Sequence, residues 1–279
     1  MAGSTPSSLL SDAGQIAREG DCDRYLCCLY APASCREALF ALLAFHVELA
    51  RIPEQVSQEM LGLIRLTWWR EALDELYGER PPRRHAVLEA LQPAIREFHL
   101  TRAHFDALLS GREEDLDPDP PPTLDALEAY AEQTSSALLY LWLEVLGIKE
   151  DAALHVARHL GIAWGLAGLM RAVPHHAARE KVFLPADLIE REATFENLAA
   201  LRQAVEAVCE RAETHLAGLR NYEVIFTRDA MPVRLLAVAA RHHLKRLRRV
   251  HHNPYDARLK GGGFALQMAI LWRAMFPGG

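Results

Sequence analysis

The sequence lacks several features that would place it in a common class of protein. No apolar stretch reaches the ~20 residues of a transmembrane helix, because charged residues interrupt the longest apolar segments. Residues 1–21 show neither a basic region followed by an apolar run nor an arginine-rich stretch, so no secretion or organelle signal is predicted. Sustained apolar–polar alternation, which marks half-buried strands, is also missing. We therefore expect an all-α protein of the cytoplasm.

An excess of positive charge and paired cysteines are missing too. With 31 Lys/Arg against 37 Asp/Glu, the 279-residue chain has a net charge of −6, which argues against nucleic-acid binding. The five cysteines form no C-x-x-C pair. They are Cys22, Cys27, Cys28, Cys35 and Cys209. Reduced, packed thiols are therefore a better interpretation than a metal site.

What the chain does contain is one helical pattern after another. Ser34 and Glu37 have the spacing of a capping box, and Thr123 follows the rigid DPDPPP connector at the start of a long apolar pattern. We predict one domain over residues 1–279. Its predicted helices cover about 35–52, 57–78, 85–98, 101–114, 123–147, 150–172, 185–192, 195–222, 232–250 and 263–275.

The segment 162–190, IAWGLAGLMRAVPHHAAREKVFLPADLIE, combines a strong apolar helix with a polar loop. Gly161, Gly165 and Gly168 lie close together on this helix, and each glycine costs about 1 kcal/mol relative to alanine. Their presence indicates that a neighbouring helix approaches closely or that a ligand binds. Pro174 is expected to end or kink the helix.

The same segment resembles the second signature of the squalene/phytoene synthase family, R-D-x-x-E-D-A-R-R-G-x-x-Y-L-P. The matching positions are Arg171, Ala177, Arg179 and residues 182–185. The acidic positions of the family fall on Ala172, His175 and His176.

Other blocks resemble the same family in the same order. DRYLCCLYAP at 23–32 and REALFALLAF at 36–45 are similar to its N-terminal block, and REEDLD with EAYAEQTSSALLYL is similar to its middle block. The first Asp-rich motif aligns with Ala50, Arg51 and Glu54, where only Glu54 is a carboxylate. Pro53 lies inside this motif and should end or kink its helix.

The resemblance implies an isoprenoid-synthase-type helical bundle around a central apolar cavity. In active members, carboxylates at i and i+4 on two facing helices hold Mg²⁺ ions that ionise an allylic diphosphate. Here the corresponding pairs are Ala50/Glu54 and Ala172/His176, so we expect no metal and no cofactor; Mg²⁺ would be needed only by an active synthase. Segments 138–146 and 160–170 would line a prenyl cavity in an active relative, or serve only as core.

Two stretches, FHVELARIPEQVSQEMLGLIRLTWWREALDELYG and RAVPHHAAREKVFLPAD, resemble the branch formed by mitochondrial complex I assembly factor 6 and its bacterial relatives. That resemblance implies a protein partner and a non-catalytic role in building complex I. The alternatives are an active head-to-head prenyl synthase that uses Glu48, Glu54 and Asp115, and an isoprenoid or lipid carrier. Candidate ligand-binding residues are Tyr25, Glu48, Asp115, Tyr130, Arg171, Arg179 and Lys181.

Residues 241–260 form a basic stretch with seven Lys/Arg against one acid, Asp256. This stretch is either a solvated face or a docking surface for a partner or for peripheral contact with the inner membrane. The docking candidates are Lys245, Arg246, Arg248 and Arg249. The histidine pairs at 175–176, 242–243 and 251–252 are expected to be solvated rather than to bind metal. Trp68 and Trp69 are expected to anchor the core, with one ring at the surface.

Overall fold

The computed structural model describes residues 10–78, 80–189, 197–219, 228–261 and 263–276, and within these ranges the chain forms helices and no strand. The α-helices are α1 (Asp12–Gly20), α2 (Cys22–Cys28), α3 (Ala33–Ala50), α4 (Ile52–Gln55), α5 (Glu59–Tyr77), α6 (Ala86–Phe98), α7 (Arg102–Glu113), α8 (Leu124–Ala131), α9 (Ala137–Val145), α10 (Asp151–Ala177), α11 (Leu198–Gly218), α12 (Met231–Arg249) and α13 (Gly263–Met275). A π-helical turn, Glu132–Ser136, joins α8 to α9. Short 3₁₀ turns lie at Glu114–Leu116, Ala186–Leu188 and Ala257–Leu259.

Polar side chains cap several helix starts, though not all of the expected ones. The Thr123 hydroxyl accepts a hydrogen bond from the Ala126 amide at 3.2 Å, as predicted for the start of α8. The capping box predicted for Ser34 and Glu37 is wrong. Helix α3 begins at Ala33 without a side-chain cap, and Glu37 instead accepts a hydrogen bond from the hydroxyl of Ser11 at 2.7 Å.

Helix α10 is the element against which much of the bundle packs, including α8, α9, α11 and α12. Its glycines explain part of this packing. A Cβ on Gly161 would lie 2.4 Å from Cα of Ser136, and one on Gly165 would lie 2.9 Å from Cβ of Ala131. The close approach predicted from these two glycines is therefore confirmed. Gly168 shows no such approach, since a Cβ there would meet nothing within 4 Å; this residue lines a cavity instead.

Pro53 and Pro174 differ in whether a helix ends near them. Helix α3 ends at Ala50, and Pro53 lies in the first turn of the short helix α4. The missing N–H of a proline is no loss at that position, because first-turn amides have no intrahelical partner. Helix α10 instead continues through Pro174 to Ala177, so the prediction that Pro174 ends this helix is wrong.

Other predicted boundaries need smaller corrections. The helix expected at 185–192 is a 3₁₀ turn at Ala186–Leu188, and its remainder from 190 onward lies outside the described residues. Helices α1 and α2 had not been predicted. The last helix was predicted at 263–275, and α13 has these bounds.

Buried apolar side chains from most helices form one cluster. Trp69 belongs to it, whereas Trp68 is half-buried beside it, as expected for this pair. All five cysteines are free thiols; Cys22 is exposed and the other four are buried. Among the described residues, none of the helices combines the length and the hydropathy that crossing a lipid bilayer requires.

Candidate ligand-binding cavity

A cavity of about 1060 Å³ opens between α10 and its neighbours. Residues of α1 to α5, α7, α8, the π-helical turn, α10 and α12 line it, together with the loop after α10. We expected an apolar lining. Trp164, Leu169 and Phe183 supply apolar surface, but many of the lining side chains are charged. Most of the segment 138–146 is core and lines no part of this cavity.

Two arginines and one histidine form a buried group in the cavity wall, which we name the Arg–His–Arg cluster. Arg24 comes from α2, His46 from α3 and Arg112 from α7. Nη2 of Arg24 lies 3.4 Å from Nδ1 of His46, and Nη2 of Arg112 lies 3.1 Å from Nε2 of the same ring. Arg24 is 5 % exposed and His46 is 6 % exposed. Two cationic side chains therefore meet around one imidazole inside the protein.

The imidazole of this cluster is neutral. Burial lowers the pKa of His46 well below its usual value, and the charges of Arg24 and Arg112 lower it further. Its Nε2 also lies 3.1 Å from the carbonyl oxygen of Thr134. Thr134 belongs to the π-helical turn, an irregularity often found at functional sites.

Arg112 is held by a carboxylate and a phenol. Its Nη1 donates to Oδ2 of Asp115 at 2.9 Å and to the hydroxyl oxygen of Tyr130 at 3.0 Å, while the Tyr130 hydroxyl donates to Oδ1 of Asp115. Burial alone would lower the pKa of Arg112, but Tyr130 and Asp115 outweigh it and raise that pKa. Burial and Asp115 raise the pKa of Tyr130 well above its usual value. The arginine therefore stays charged and the phenol stays protonated.

Arg24 has one carboxylate partner and one unsatisfied nitrogen. Its Nε donates to Oδ2 of Asp21 at 2.6 Å, and its guanidinium lies over the Trp164 ring at 5.8 Å. Within the described part of the chain, Nη1 of Arg24 and Nε of Arg112 are buried without a hydrogen-bond partner. Unpaired buried donors are costly, and they are often explained by a function.

The loop after α10 closes one side of the cavity. The ring of Phe183 contacts Tyr130 at 5.4 Å and His176 at 4.7 Å between centroids. Lys181 donates to the carbonyl oxygens of Glu114 and Asp117. Burial lowers the pKa of Lys181. Burial, and secondly the neighbouring His175, lower the pKa of His176 to about 4, so this ring is neutral at pH 7.

A second polar contact joins α4 to the end of α10. Nε2 of His175 donates to Oε1 of Glu54 at 2.7 Å, and Arg179 donates to Nδ1 of His175 at 3.0 Å. Nε of Arg179 lies 3.9 Å from Oε1 of Glu54. Glu54, the carboxylate of the first motif region, is therefore paired with His175 and Arg179 of the second region.

On the side formed by α2 and α12, Asp23 is the central acceptor. His243 donates to its Oδ2 at 2.8 Å, and Nη1 of Arg171 lies 3.6 Å from the same oxygen. Burial would raise the pKa of Asp23, but the hydrogen bond from His243 and the charge of Arg171 bring it below its usual value. Arg246 lines the same side and donates to the carbonyl oxygens of Arg258 and Leu259 at 2.8 and 2.9 Å.

Most of the candidate ligand-binding residues meet at this cavity. Those that line it are Asp115, Tyr130, Arg171, Arg179 and Lys181, with Ala50, Glu54, Ala172 and His176 from the motif positions.

Two of the candidate ligand-binding residues named from the sequence do not line the cavity. Tyr25 is buried and stacks on Phe40 at 5.0 Å between ring centroids. Glu48 lies 3.9 Å from Arg51 in an ion pair. Neither Tyr25 nor Glu48 therefore contacts this cavity, although both were named as candidates for binding a ligand.

The Arg–His–Arg cluster was missed by sequence reasoning, as were Asp23 and Trp164. One signal was available: His46 interrupts the apolar run of α3, where a polar side chain must be buried with a partner.

Three of the four predicted docking residues are exposed, and the fourth lines the cavity. Lys245 and Arg249 are exposed, and Arg248 is exposed in an ion pair with Glu213, whereas Arg246 lines the cavity.

The expectation of solvated histidines is wrong for His243, which is 3 % exposed, and for His252, which is 9 % exposed.

The residues at the two motif positions do not suit Mg²⁺. This ion prefers several oxygen ligands in octahedral geometry. The motif positions offer one carboxylate, Glu54, which is paired with His175. Across the described ranges, no three His, Cys, Asp or Glu side chains converge to hold a metal ion.

The helical architecture and its cavity define an isoprenoid-synthase-type bundle. A dehydrosqualene synthase crystallised with a ligand superposes with a TM-score of 0.78 at 18 % identity, over 95 % of this chain and 94 % of that one. Residues 17–268 match the sequence model of the squalene/phytoene synthase family, and the chain belongs to this family.

Of two similar proteins, one is named as an assembly factor and the other as a synthase. The NADH dehydrogenase (ubiquinone) complex I, assembly factor 6 of Bos taurus is 34 % identical over 275 residues, covering 94 % of this chain and 81 % of that protein. The presqualene diphosphate synthase of Rhodopseudomonas palustris is 29 % identical over 195 residues, covering 67 % and 69 %.

Proposed function

We propose that this chain acts in the assembly of respiratory complex I and does not catalyse prenyl condensation. The buried Arg–His–Arg cluster is the observation that carries the non-catalytic part of this proposal. A magnesium-dependent synthase needs carboxylates to collect divalent cations at its diphosphate. Here two guanidiniums approach one imidazole within 3.4 Å, and the carboxylates beside them, Asp21 and Asp115, are paired with these arginines rather than free for a cation. The likeness to assembly factor 6 over most of the chain supports the same proposal.

The biological role requires a protein partner in complex I assembly, and a cytoplasmic location at the inner membrane surface is part of the proposal. An isoprenoid or lipid ligand is the second candidate, supported by the cavity of about 1060 Å³. Its arginines suit a phosphate group, because guanidinium forms strong charge-assisted hydrogen bonds with phosphate oxygens. This ligand would be carried or sensed without being condensed.

A genetic experiment tests the role in the native organism. Deleting the gene should lower the amount of assembled complex I and NADH-linked respiration, while squalene, hopanoid and carotenoid levels stay unchanged. Re-expression of the Glu54→Ala variant should restore complex I, because this variant removes the single carboxylate at the motif positions. Normal complex I in the deletion strain, with loss of an isoprenoid product, would establish the synthase alternative instead.

A biochemical experiment separates carrier from catalyst. The purified chain should release no diphosphate from farnesyl or geranylgeranyl diphosphate with Mg²⁺ or Mn²⁺. In the presence of a chelator, farnesyl diphosphate should still raise its melting temperature if the cavity binds this ligand. Metal-dependent formation of a C30 or C40 product would contradict the non-catalytic proposal.

A further inference from the structure

Helix α13 exposes a continuous apolar face. Six large side chains follow one another at i, i+4, i+7, i+8, i+11 and i+12, which places them on one side of a helix. They are Phe264 (75 % exposed), Met268 (47 %), Leu271 (41 %), Trp272 (66 %), Met275 (60 %) and Phe276 (47 %). On the opposite side, Leu266 and Ile270 are buried in the core cluster, and α13 packs on α12.

This face is larger than the scattered apolar residues of an ordinary protein surface. The rings of Trp272 and Phe276 pack on each other, with centroids 4.5 Å apart. A helix of this length extends for about 20 Å. An apolar stripe of that size is typical of an interaction site.

A basic face of α12 lies beside the stripe. Arg241, Lys245 and Arg248 follow Arg234 at i+7, i+11 and i+14, so all four lie on one side of α12. The pKa of Arg234 is lowered first by burial and then by Arg273 of α13. Helix α13 therefore lies along this side of α12.

Positive charge is concentrated in the part of the chain that contains α12 and α13. Residues 231–276 contain nine Lys/Arg and one acid, Asp256, whereas residues 1–230 contain 22 Lys/Arg and 36 Asp/Glu. An anionic surface would attract the first part and repel the second, and so would orient the molecule.

We propose that α13 is an interfacial helix that docks on an anionic lipid membrane. Its aromatic, leucine and methionine side chains enter the boundary between headgroups and acyl chains, which is the known position of amphipathic helices with such a composition. Lys245 and Arg249, both exposed, and Lys260 next to α13 lie against the lipid headgroups. Each basic residue near such a surface strengthens binding about fivefold.

Vesicle flotation of the full chain tests this proposal. It should bind vesicles of phosphatidylcholine with phosphatidylglycerol, bind phosphatidylcholine alone weakly, and lose affinity as salt is added. The double variant Phe264→Ser/Trp272→Ser should bind the anionic vesicles at least about tenfold more weakly. Lys245→Glu/Arg249→Glu should weaken binding to a similar extent, and circular dichroism should show that both variants keep their helix content.

A matched control lies on α5. Met60 and Ile64 of α5 are 63 % and 58 % exposed, and Met60→Ser/Ile64→Ser should bind vesicles like the unmodified chain. Brominated lipids should quench the fluorescence of the unmodified chain, and Trp272→Phe should lose most of this quenching, because the other four tryptophans are buried or half-buried.

Two results would overturn the proposal. One is unchanged binding of the Phe264→Ser/Trp272→Ser variant to anionic vesicles. The other is failure of the unmodified chain to bind them, for instance because it forms a dimer that the same substitutions dissociate; the stripe would then be a protein–protein interface.

Discussion

The two segments that resemble the family's Asp-rich motifs differ in how they accommodate a proline. Near Pro53 the chain leaves α3 and starts α4, whereas at Pro174 helix α10 continues for another three residues. The difference lies in what each helix packs against. Helix α10 contacts several neighbours along its length, and the turn after Pro174 is held by His175 on Glu54 and by His176 on Phe183. Packing can therefore maintain a helix whose local sequence favours its end.

The largest effect is expected where α10 touches its neighbours most closely. Gly161→Ala should destabilise the protein by about 3 kcal/mol or more, because the new Cβ would lie 2.4 Å from backbone atoms of Ser136. Gly168→Ala should stabilise it by about 0.5–1 kcal/mol, since alanine is the better helix former and the site is open. Urea denaturation measures both changes. Equal effects of the two substitutions would show that α10 does not closely approach the backbone of Ser136 at Gly161.

The two prolines provide a smaller and more direct test. Pro174→Ala should stabilise the protein by about 1–2 kcal/mol, because it restores a helix-interior N–H and removes a clash with the preceding turn. Pro53→Ala should destabilise it by about 0.5–1 kcal/mol, since proline is well suited to the first turn and restricts the unfolded chain. Unfolding midpoints of the two variants should move in opposite directions. A loss of stability in Pro174→Ala would mean that the fold requires the proline's own geometry.

An effect of similar size, seen only as a pH dependence, concerns the neighbouring histidines that follow Pro174. The pKa of His176 is about 4 in the folded protein, and burial is the main cause. The unfolded chain takes up a proton near the usual pKa of about 6.5, so it binds more protons than the folded chain between these values. Stability should therefore fall as the pH drops through this window.

In the His176→Gln variant, the loss of stability between about pH 7 and about pH 4.5 should be smaller by about 1–2 kcal/mol, after allowance for solvent screening. His175→Gln is the control and should keep most of the original loss. The pKa of His46 is lowered in the same direction, so both variants should retain some acid sensitivity. Identical pH profiles for the original chain and His176→Gln would contradict the assignment.

Helix periodicity was enough to predict most of the fold. The bounds of α13 and the Thr123 cap follow from local sequence, and local sequence is what periodicity and capping describe. Helix α10 continues past its predicted end at 172 to Ala177, because contacts with Glu54 and Phe183, which lie elsewhere in the chain, stabilise its last turn.

The candidate site was harder to predict than the fold. His46 is 22 residues from Arg24 and 66 from Arg112, and periodicity does not reveal which helix faces meet. The resemblance indicated Tyr25, yet its neighbour Arg24 lines the cavity, because adjacent residues on a helix point about 100° apart. Asp115 and Tyr130 were predicted and do line the cavity, whereas their arginine partner was not recognised.

The distribution of the free thiols gives the molecule a natural labelling site. Burial raises the pKa of Cys27 and Cys28 well above the usual thiol value and that of Cys209 to about 12, so these side chains are poor nucleophiles. Cys22 is exposed and lines the cavity. Burial and the adjacent Asp23 also raise its pKa, so a maleimide should react with it slowly but selectively. A fluorophore or spin label attached there would report on the cavity without any engineered cysteine.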